Sequence, residues 1–376
     1  MYKIFAALFT TMIISALLVP IVRKFAIKVG AVDKPNKRRV NSTPMPTLGG
    51  LAIFIAFNFT NFFFLRSQYP PEQMLALFLA ECIIVITGFI DDVYELKPKQ
   101  KLLGIIIAAL IVYYVAEIKM TTISIPFVGL FHLKWLSMPV TIIWIVAITN
   151  AINLLDGLDG LATGVSIIAV TTSALTSFFF LNNTGVFVSV LMLTLVAAMI
   201  GFLPYNFNPA SIFLGDTGSL FIGFMISVFA LYGLKNATFI SLVIPIIILG
   251  VPITDTVYAI LRRMLNKKPI FQADKHHLHH RLMQMGLTHR QTVLVIYGIA
   301  LIFSFISLLF PLSNFWGSVA LIIATLIGLE LFVEAIGLVG GNRQPLLHLI
   351  KRMVLSSSDT KGLYEREAKR KNKDKK

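Results

Sequence analysis

Long runs of hydrophobic residues alternate with short polar segments along almost the whole chain. Many of these runs reach the roughly 20 residues that an α-helix needs to cross the hydrocarbon core of a bilayer. The pattern therefore predicts an all-α, polytopic integral membrane protein with about eleven transmembrane helices. Their expected bounds are 4–22, 49–65, 72–90, 102–118, 138–153, 160–181, 186–204, 218–234, 237–261, 292–311 and 315–336.

Composition supports this class and also predicts the orientation. The chain is 56% hydrophobic and only 14% charged, which is far from the usage of soluble proteins. Its net charge of +15 does not require a nucleic-acid partner, because 28 of the 33 lysines and arginines fall in four segments, 23–48, 91–101, 262–290 and the tail from 337. Basic loops stay on the cytoplasmic side. We therefore predict an outside N-terminus and a cytoplasmic C-terminus.

Two parts of unequal size are expected. Residues 1–336 form the transmembrane domain, and 337–376 form a basic tail near anionic lipid head groups, without chemistry of its own. The longest outer loop, 119–137, alternates in polarity and contains Pro126 and Gly129, which predicts a small hairpin.

The stretch between the fifth and sixth predicted helices holds three polar residues, Asn153, Asp156 and Asp159. Ionisable residues beside membrane helices are costly to bury and indicate a functional site. A continuous helix would place the three on one face, whereas the Asp-Gly pairs favour a turn. Either arrangement brings the side chains together. The alternative is a polar cap on two helices.

Two adjacent carboxylates, Asp91 and Asp92, end the third predicted helix. Such neighbours repel each other unless a cation or a proton lies between them. A divalent metal site or a general base fits this pair. The alternative is a helix end that pairs with Lys97, Lys99 or Lys101.

A third polar loop runs from Asn206 to Ser219 and contains Phe213 and Asp216. Asp216 precedes the eighth predicted helix, where Thr217 and Ser219 could cap the first turn. The N-terminus of such a helix attracts phosphate oxygens. The alternative is that Asp216 is only an N-cap.

Four of the seven histidines lie close together in the last cytoplasmic loop, at His276, His277, His279 and His280. A histidine cluster often indicates zinc. The basic neighbours, among them Arg281, favour instead an anionic, hydrogen-bonding ligand such as a nucleotide diphosphate. The remaining alternative is an ordinary basic loop.

A transporter is the rival class, because acids and histidines at helix ends also mark transport pathways. Transporter sites lie near the bilayer midplane, between inverted repeats. Here the polar groups gather on one predicted face, and no repeat is visible. These features favour an enzyme that works at the membrane surface.

Together these segments resemble the polyprenyl-phosphate N-acetylhexosamine-1-phosphate transferases. The resemblance rests on Asp91-Asp92, the stretch Asn153–Leu161, Gly-Asp-Thr-Gly-Ser at 215–219 and His-Leu-His-His at 277–280, and it covers about residues 1–335. The muramyl-pentapeptide branch of that family typically carries three consecutive histidines in the last loop. His-Leu-His-His is more similar to the N-acetylglucosamine branch, and most similar to its Gram-positive members.

The resemblance implies an activity and its partners. N-acetylglucosamine-1-phosphate would pass from UDP-GlcNAc to undecaprenyl phosphate, with release of UMP, at the cytoplasmic face of a bacterial plasma membrane. The product would start wall teichoic acid or a related polymer. Magnesium, with manganese as a substitute, is the implied cofactor, and a homodimer in the lipid bilayer is the implied assembly. UDP-MurNAc-pentapeptide is the alternative donor.

The resemblance also assigns roles to residues. It gives metal binding to Asp216 and a lipid-phosphate or acid/base role to Asp91 and Asp92. The nucleotide would be held by Asn153, Asp156, Asp159, Asn206 and Phe213, with Asp156 and Asp159 also counted as catalytic. The sugar-diphosphate end falls to His277, His279 and His280, and the basic side chains Lys101 and Arg281 join the substrate contacts. A one-step transfer and a two-step transfer through an aspartyl-phosphate both stay open.

Overall fold

The computed structural model describes residues 2–33, 44–66, 70–125, 129–180, 183–233, 239–265, 277–337 and 346–347. Within these ranges the chain forms thirteen α-helices, which confirms the all-α prediction. They are α1 (Tyr2–Val29), α2 (Gly49–Thr60), α3 (Pro71–Tyr94), α4 (Pro98–Tyr114), α5 (Ser137–Leu155), α6 (Leu161–Phe180), α7 (Asn183–Asn206), α8 (Gly215–Gly233), α9 (Phe239–Ile248), α10 (Gly250–Leu265), α11 (Leu278–Gln284), α12 (His289–Leu309) and α13 (Phe315–Ile336).

Each of the eleven predicted runs coincides with helix, and one run is divided. The run predicted at 237–261 forms α9 and α10, which are separated at Leu249. Pro245 and Pro252 explain the division, because proline lacks the N–H that continues a helix. Among the described helices, eight are long and apolar enough to cross a membrane, and Gly49–Leu65 is a shorter apolar helix. The count of about eleven crossings and their direction stay predictions.

The described structure also contains a π-helix at Asn61–Leu65, which continues α2, and two antiparallel pairs of short strands. Strands β1 (Val32–Asp33) and β2 (Met45–Pro46) pair antiparallel, as do β3 (Thr122–Ile125) and β4 (Gly129–His132). The second pair confirms the hairpin that was predicted in the loop 119–137. His276, in the histidine loop, lies outside the described residues.

The chain divides into two units, each described here by itself. The first contains Met1–Val257 and Leu287–Ser313, and the second contains Tyr258–Gly286 and Asn314–Lys376. This division does not test the predicted boundary between residues 336 and 337, and most of the tail lies outside the described residues.

Helix α8 is the centre of the first unit. It has the largest buried share of the eight long apolar helices, and α2, α3 and α5 pack against it. Two glycines allow backbone contact at its start. A Cβ atom on Gly50 would lie 1.9 Å from the Cα of Gly218, and one on Gly88 would lie 2.5 Å from the Cα of Thr217. Helices α2 and α3 therefore reach the first turn of α8 only because these positions lack side chains.

We predict that Gly50→Ala lowers the free energy of unfolding by about 3 kcal/mol, the upper end of the usual range for overpacked cores. The new methyl group would meet the backbone of Gly218, which cannot turn away as a flexible side chain can. Reversible unfolding in mixed detergent micelles measures the change. Gly298→Ala on α12 is the matched control, because its methyl group would meet open space. Equal stability of the two variants would contradict the packing at the start of α8.

Candidate active site

The carboxylate of Asp92 binds the N-terminus of α8. Its Oδ1 accepts a hydrogen bond from the backbone N–H of Asp216 at 2.9 Å. Its Oδ2 accepts from the backbone N–H of Thr217 at 2.9 Å and from the Thr217 hydroxyl at 2.6 Å. The first N–H groups of a helix have no partner within the helix, and the helix dipole favours negative charge there. Asp92, at the end of α3, supplies both the acceptors and the charge.

This contact corrects one expectation from the sequence. The N-terminus of α8 was expected to attract a substrate phosphate, yet its N–H groups at Asp216 and Thr217 already bind Asp92. The Thr217 hydroxyl donates to Asp92, and Asp216 lies in the first turn of the helix. Gly215 has a φ of +73° and leaves room for Asp92, because a Cβ there would lie 2.7 Å from the Oδ2 of that residue.

Lys101 joins Asp91 to Asp216. Its Nζ lies 2.5 Å from Oδ2 of Asp91 and 2.9 Å from Oδ2 of Asp216. The other oxygen of Asp91 accepts from the backbone N–H of Leu96 at 2.6 Å. The two adjacent aspartates therefore face different partners: Asp91 faces an ammonium group, as the lysine alternative foresaw, and Asp92 faces α8.

Asn153 completes the group from the last turn of α5. Its Nδ2 donates to Oδ1 of Asp216 and to Oγ of Ser219, the latter at 2.8 Å. Ser219 was expected as a helix cap and instead accepts this bond. Both carboxylate oxygens of Asp216 are thus bound, one by an amide and one by Lys101.

Asp156 lies between α5 and α6, outside the two apolar spans that flank it. Burial raises the pKa of its carboxyl well above the usual range, and the negative charges of three neighbours raise it further, those of Asp216, Asp92 and Asp159. Within the described part of the chain, no hydrogen bond to the Asp156 carboxylate is found. Among the residues that the structure describes, none donates a hydrogen bond that would stabilise the charge of Asp156.

Asp159 and Asn206 bind within the protein. Oδ2 of Asp159 accepts from Nδ2 of Asn208 at 2.9 Å and from the backbone N–H of Ala210 at 3.2 Å. The buried amide of Asn206 accepts from the Thr163 hydroxyl at 2.9 Å and donates to the carbonyl of Ile212 at 3.2 Å. In this structure both side chains hold the loop that follows α7, and their predicted roles in catalysis and nucleotide binding stay predictions.

The backbone of Phe213 joins this loop to the segment before α2 by hydrogen bonds. Its N–H donates to the carbonyl of Pro46 at 2.9 Å, and its carbonyl accepts from the N–H of Gly49 at 3.0 Å. The side chain is half-buried. These two bonds fix Phe213 next to the start of α8. The contact of Phe213 with a nucleotide stays a prediction.

The predicted histidines belong to the second unit. His277 directly precedes α11, and its ring lies parallel to that of His279 with centroids 6.0 Å apart. Both rings are buried, whereas His280 is half-buried. Arg281 donates from one terminal nitrogen to the carbonyl of Gly337 at 2.6 Å, just after α13, and from the other to Gln284 at 3.1 Å. These bonds give Arg281 a structural role in the second unit, while its contact with substrate stays a prediction.

The first unit thus brings together four of the predicted carboxylates, those of Asp91, Asp92, Asp156 and Asp216, with Lys101 as the ammonium group among them. Ionised carboxylates in such number exceed the positive charge of one lysine, so an added cation would relieve their repulsion. Carboxylate oxygens are the ligands that hard divalent cations such as Mg²⁺ prefer. Within the described residues, no three acidic, histidine or cysteine side chains form a ready set of metal ligands.

Three candidate functional residues were not predicted from the sequence: His289, Arg290 and Tyr297, all on α12. They bind the loops that carry Asp159 and Asn208. The one local signal is the capping box at Thr288 and Gln291, which fixes the start of α12 but does not reveal what that helix contacts.

Comparison with known proteins places this geometry in a family. The model for glycosyl transferase family 4 matches residues 74–234, the range from α3 to the end of α8 that includes all the clustered aspartates. A probable undecaprenyl-phosphate N-acetylglucosaminyl 1-phosphate transferase of Bacillus subtilis is 44% identical over 356 residues, which cover 94% of this chain and 98% of the relative. The chain belongs to glycosyl transferase family 4.

Two further relatives carry other names and are less similar to this chain. The decaprenyl-phosphate N-acetylglucosaminephosphotransferase of Mycobacterium tuberculosis is 34% identical over 304 residues, which cover 73% of this chain and 74% of the relative. The phospho-N-acetylmuramoyl-pentapeptide-transferase of Staphylococcus haemolyticus is 30% identical over 297 residues, which cover 74% of this chain and 90% of the relative. The resemblance that the motifs indicated is confirmed.

The bond between Thr217 and Asp92 gives the first prediction for the site. Thr217→Val keeps the shape of the side chain and removes only the hydroxyl that donates to Asp92. Loss of one hydrogen bond to a charged group should lower the free energy of unfolding by about 1.5–3 kcal/mol. Unfolding in mixed micelles measures this, with Thr217→Ser as the control that keeps the donor. A valine variant as stable as wild type would show that the Thr217 hydroxyl does not bind Asp92.

The raised pKa of Asp156 gives a second prediction. An acid whose pKa is higher in the folded protein than in the unfolded chain destabilises the fold as pH rises and it ionises. Asp156→Asn should therefore raise the melting temperature of the substrate-free protein in the presence of a chelator. The gain should be larger at about pH 8 than at about pH 6. Glu72→Gln, which removes an exposed carboxylate from the start of α3, is the control. A gain that shrinks with rising pH would contradict the environment described for Asp156.

Proposed function

We propose that the protein transfers N-acetylglucosamine-1-phosphate from UDP-GlcNAc to undecaprenyl phosphate and releases UMP. The observation that carries this proposal is the meeting of Asp91, Lys101 and Asp216 at the ends of apolar helices. Phosphoryl transfer between two anions needs positive charge and oriented oxygen ligands. This group offers both within the range that matches the family.

The location of the group suits one lipid substrate and one water-soluble substrate. Asp91 lies in the last turn of α3, Asp156 directly after α5, and Asp216 in the first turn of α8. All three helices are candidate membrane spans, with α5 lying within the span Lys134–Leu155. Side chains at their ends lie where the hydrocarbon core meets water, so a lipid phosphate and a nucleotide sugar can meet there. The basic loops on the same side favour the cytoplasmic face.

The donor is proposed from the relatives and from the histidine pattern. The relative with 44% identity carries N-acetylglucosaminyl 1-phosphate in its name, and the muramoyl-pentapeptide relative shares 30%. His-Leu-His-His at 277–280 also differs from three consecutive histidines. UDP-GlcNAc is therefore preferred over UDP-MurNAc-pentapeptide, and we propose that the lipid product starts a wall polymer such as teichoic acid.

The contacts support different roles for the two adjacent aspartates. In the transfer, an oxygen of the lipid phosphate attacks the phosphorus that carries the sugar, a new P–O–P bond forms, and the bond to UMP breaks. A phosphate monoester is already mostly ionised at neutral pH, since its second pKa is about 6. Asp91 then needs only to accept a residual proton or to orient the attacking oxygen. Asp92 is less suited to this task, because it accepts three hydrogen bonds from the first turn of α8, whereas Asp91 accepts one from a backbone N–H and pairs with Lys101.

A magnesium ion is the proposed cofactor, with manganese as a substitute. Asp216 would hold it together with Asp156, whose carboxylate has no hydrogen bond to the described residues and is close enough for the charge of Asp216 to raise its pKa. When bound, such an ion neutralises the charge that develops on the leaving phosphate. Asn153 and Lys101 orient the Asp216 carboxylate through one oxygen each.

The test is a transfer assay with purified protein, undecaprenyl phosphate, magnesium and radiolabelled UDP-GlcNAc. We expect labelled lipid and UMP, and no labelled lipid from UDP-MurNAc-pentapeptide. Asp216→Asn keeps the size of the side chain and removes its charge, so turnover should fall by on the order of 100-fold, as when one stabilising group is removed from a charged transition state. Glu72→Gln removes one carboxylate from the opposite end of α3 and should leave turnover unchanged. Product from UDP-MurNAc-pentapeptide alone would overturn the donor assignment.

A further inference from the structure

The first turns of α12 bind two loops that lie far away in the sequence. Nε2 of His289 accepts a hydrogen bond from the backbone N–H of Asp159 at 3.0 Å. Nε of Arg290 donates to the carbonyl of Asn208 at 2.9 Å. Two turns later, the hydroxyl of Tyr297 donates to the carbonyl of Gly160 at 2.5 Å. One helix thus holds the loop between α5 and α6 and the loop between α7 and α8.

The two loops are also bound to each other, which closes the network. Oδ2 of Asp159 accepts from the side chain of Asn208 and from the backbone N–H of Ala210. The fit around Tyr297 is tight, because a Cβ atom on Gly164 would lie 2.0 Å from its hydroxyl oxygen. A shift of α12 would therefore move both loops.

The position of Asp156 depends on this network more than on bonds of its own. Its carboxylate makes no hydrogen bond to a described residue, and its backbone N–H bonds only locally, to Asn153 at 3.2 Å. The next residues along the chain that hydrogen-bond to α12 are Asp159 and Gly160, which bind His289 and Tyr297. Because no described residue donates to it, the carboxylate points where the backbone of this loop directs it.

We propose that His289 and Arg290 are positioning residues for the transfer reaction, which hold the loop that carries Asp156 against the carboxylates of α3 and α8. This inference rests on the proposed function, because it gives Asp156 a task in that reaction. The nitrogen of His289 that accepts the bond carries no proton, so the imidazole acts as an acceptor. The capping box of Thr288 and Gln291 fixes the turn that presents both side chains.

The first variants separate the acceptor from the rest of the imidazole. His289→Ala removes the acceptor, and His289→Gln places an amide oxygen at a similar distance from the backbone. We expect kcat to fall about 5- to 10-fold in the alanine variant, which corresponds to one ordinary hydrogen bond. The KM for undecaprenyl phosphate should stay unchanged, and glutamine should restore kcat to within about 2-fold. Unchanged kcat in the alanine variant, or a folded glutamine variant as slow as alanine, would overturn the proposal.

Arg290 is tested against a matched arginine. Arg290→Ala should lower kcat by a similar factor of about 5 to 10 through loss of the bond to Asn208. Arg23→Ala removes one exposed charge from the last part of α1 and should leave kcat unchanged. Tyr297→Phe loses only a hydroxyl and provides a second route should an alanine variant fail to fold. If Arg290→Ala and Arg23→Ala changed kcat equally, Arg290 would act only through its charge, which would contradict its positioning role.

The hydrogen-exchange rate of backbone amides measures how firmly the loop is held, and it needs no substrate. It therefore tests this inference independently of the proposed function. Backbone amides from Gly157 to Leu161 should exchange faster in His289→Ala than in wild type and return to the wild-type rate in His289→Gln. Unaltered exchange in the alanine variant would contradict the contact itself. An inactive wild-type protein with the expected exchange pattern would instead refute the proposed function and leave the contact standing.

Discussion

The bond between the carboxylate of Asp92 and the first turn of α8 is the contact on which the site depends. It satisfies two backbone N–H groups and a buried hydroxyl at the end of a membrane helix, where an unpaired polar group is costly. It also fixes the end of α3 against the start of α8. Because Asp91 is next to Asp92 and Asp216 supplies one of the bound N–H groups, the same contact sets the positions of both carboxylates, for which we propose roles in the reaction.

The hydrogen-bond and ion-pair partners of each aspartate indicate whether it supports the structure or is proposed to act in the reaction. Asp92 binds a helix end and Asp159 binds a neighbouring loop, so both stabilise the site. Asp91 and Asp216 share Lys101, and Asp156 has a raised pKa without a hydrogen bond to the described residues. The residues proposed for chemistry are thus the two carboxylates that share one ammonium group and the one that has no hydrogen bond to a described residue.

Much of the fold followed from the sequence, because apolar runs of membrane length have few alternative structures. The hairpin around Gly129 was also foreseen, since proline and glycine act locally. The family could also be predicted from the sequence, because short motifs at Asp91, Asn153 and Gly215 keep their order along the chain. Contacts between distant segments were not foreseeable. Nothing near Asp92 in the sequence indicates that it would occupy the helix end that was expected to bind phosphate, and nothing near His289 indicates a bond to Asp159.

The central claim is that Asp92 fills the N-terminus of α8, so that substrate phosphates must bind elsewhere among the carboxylates. An experimental structure of the protein with UDP-GlcNAc and magnesium tests it most directly. The account predicts that Asp92 still accepts from the N–H groups of Asp216 and Thr217, with the diphosphate beside Asp216 and Asp156. A phosphate oxygen bound to those two N–H groups, with Asp92 turned away, would contradict it.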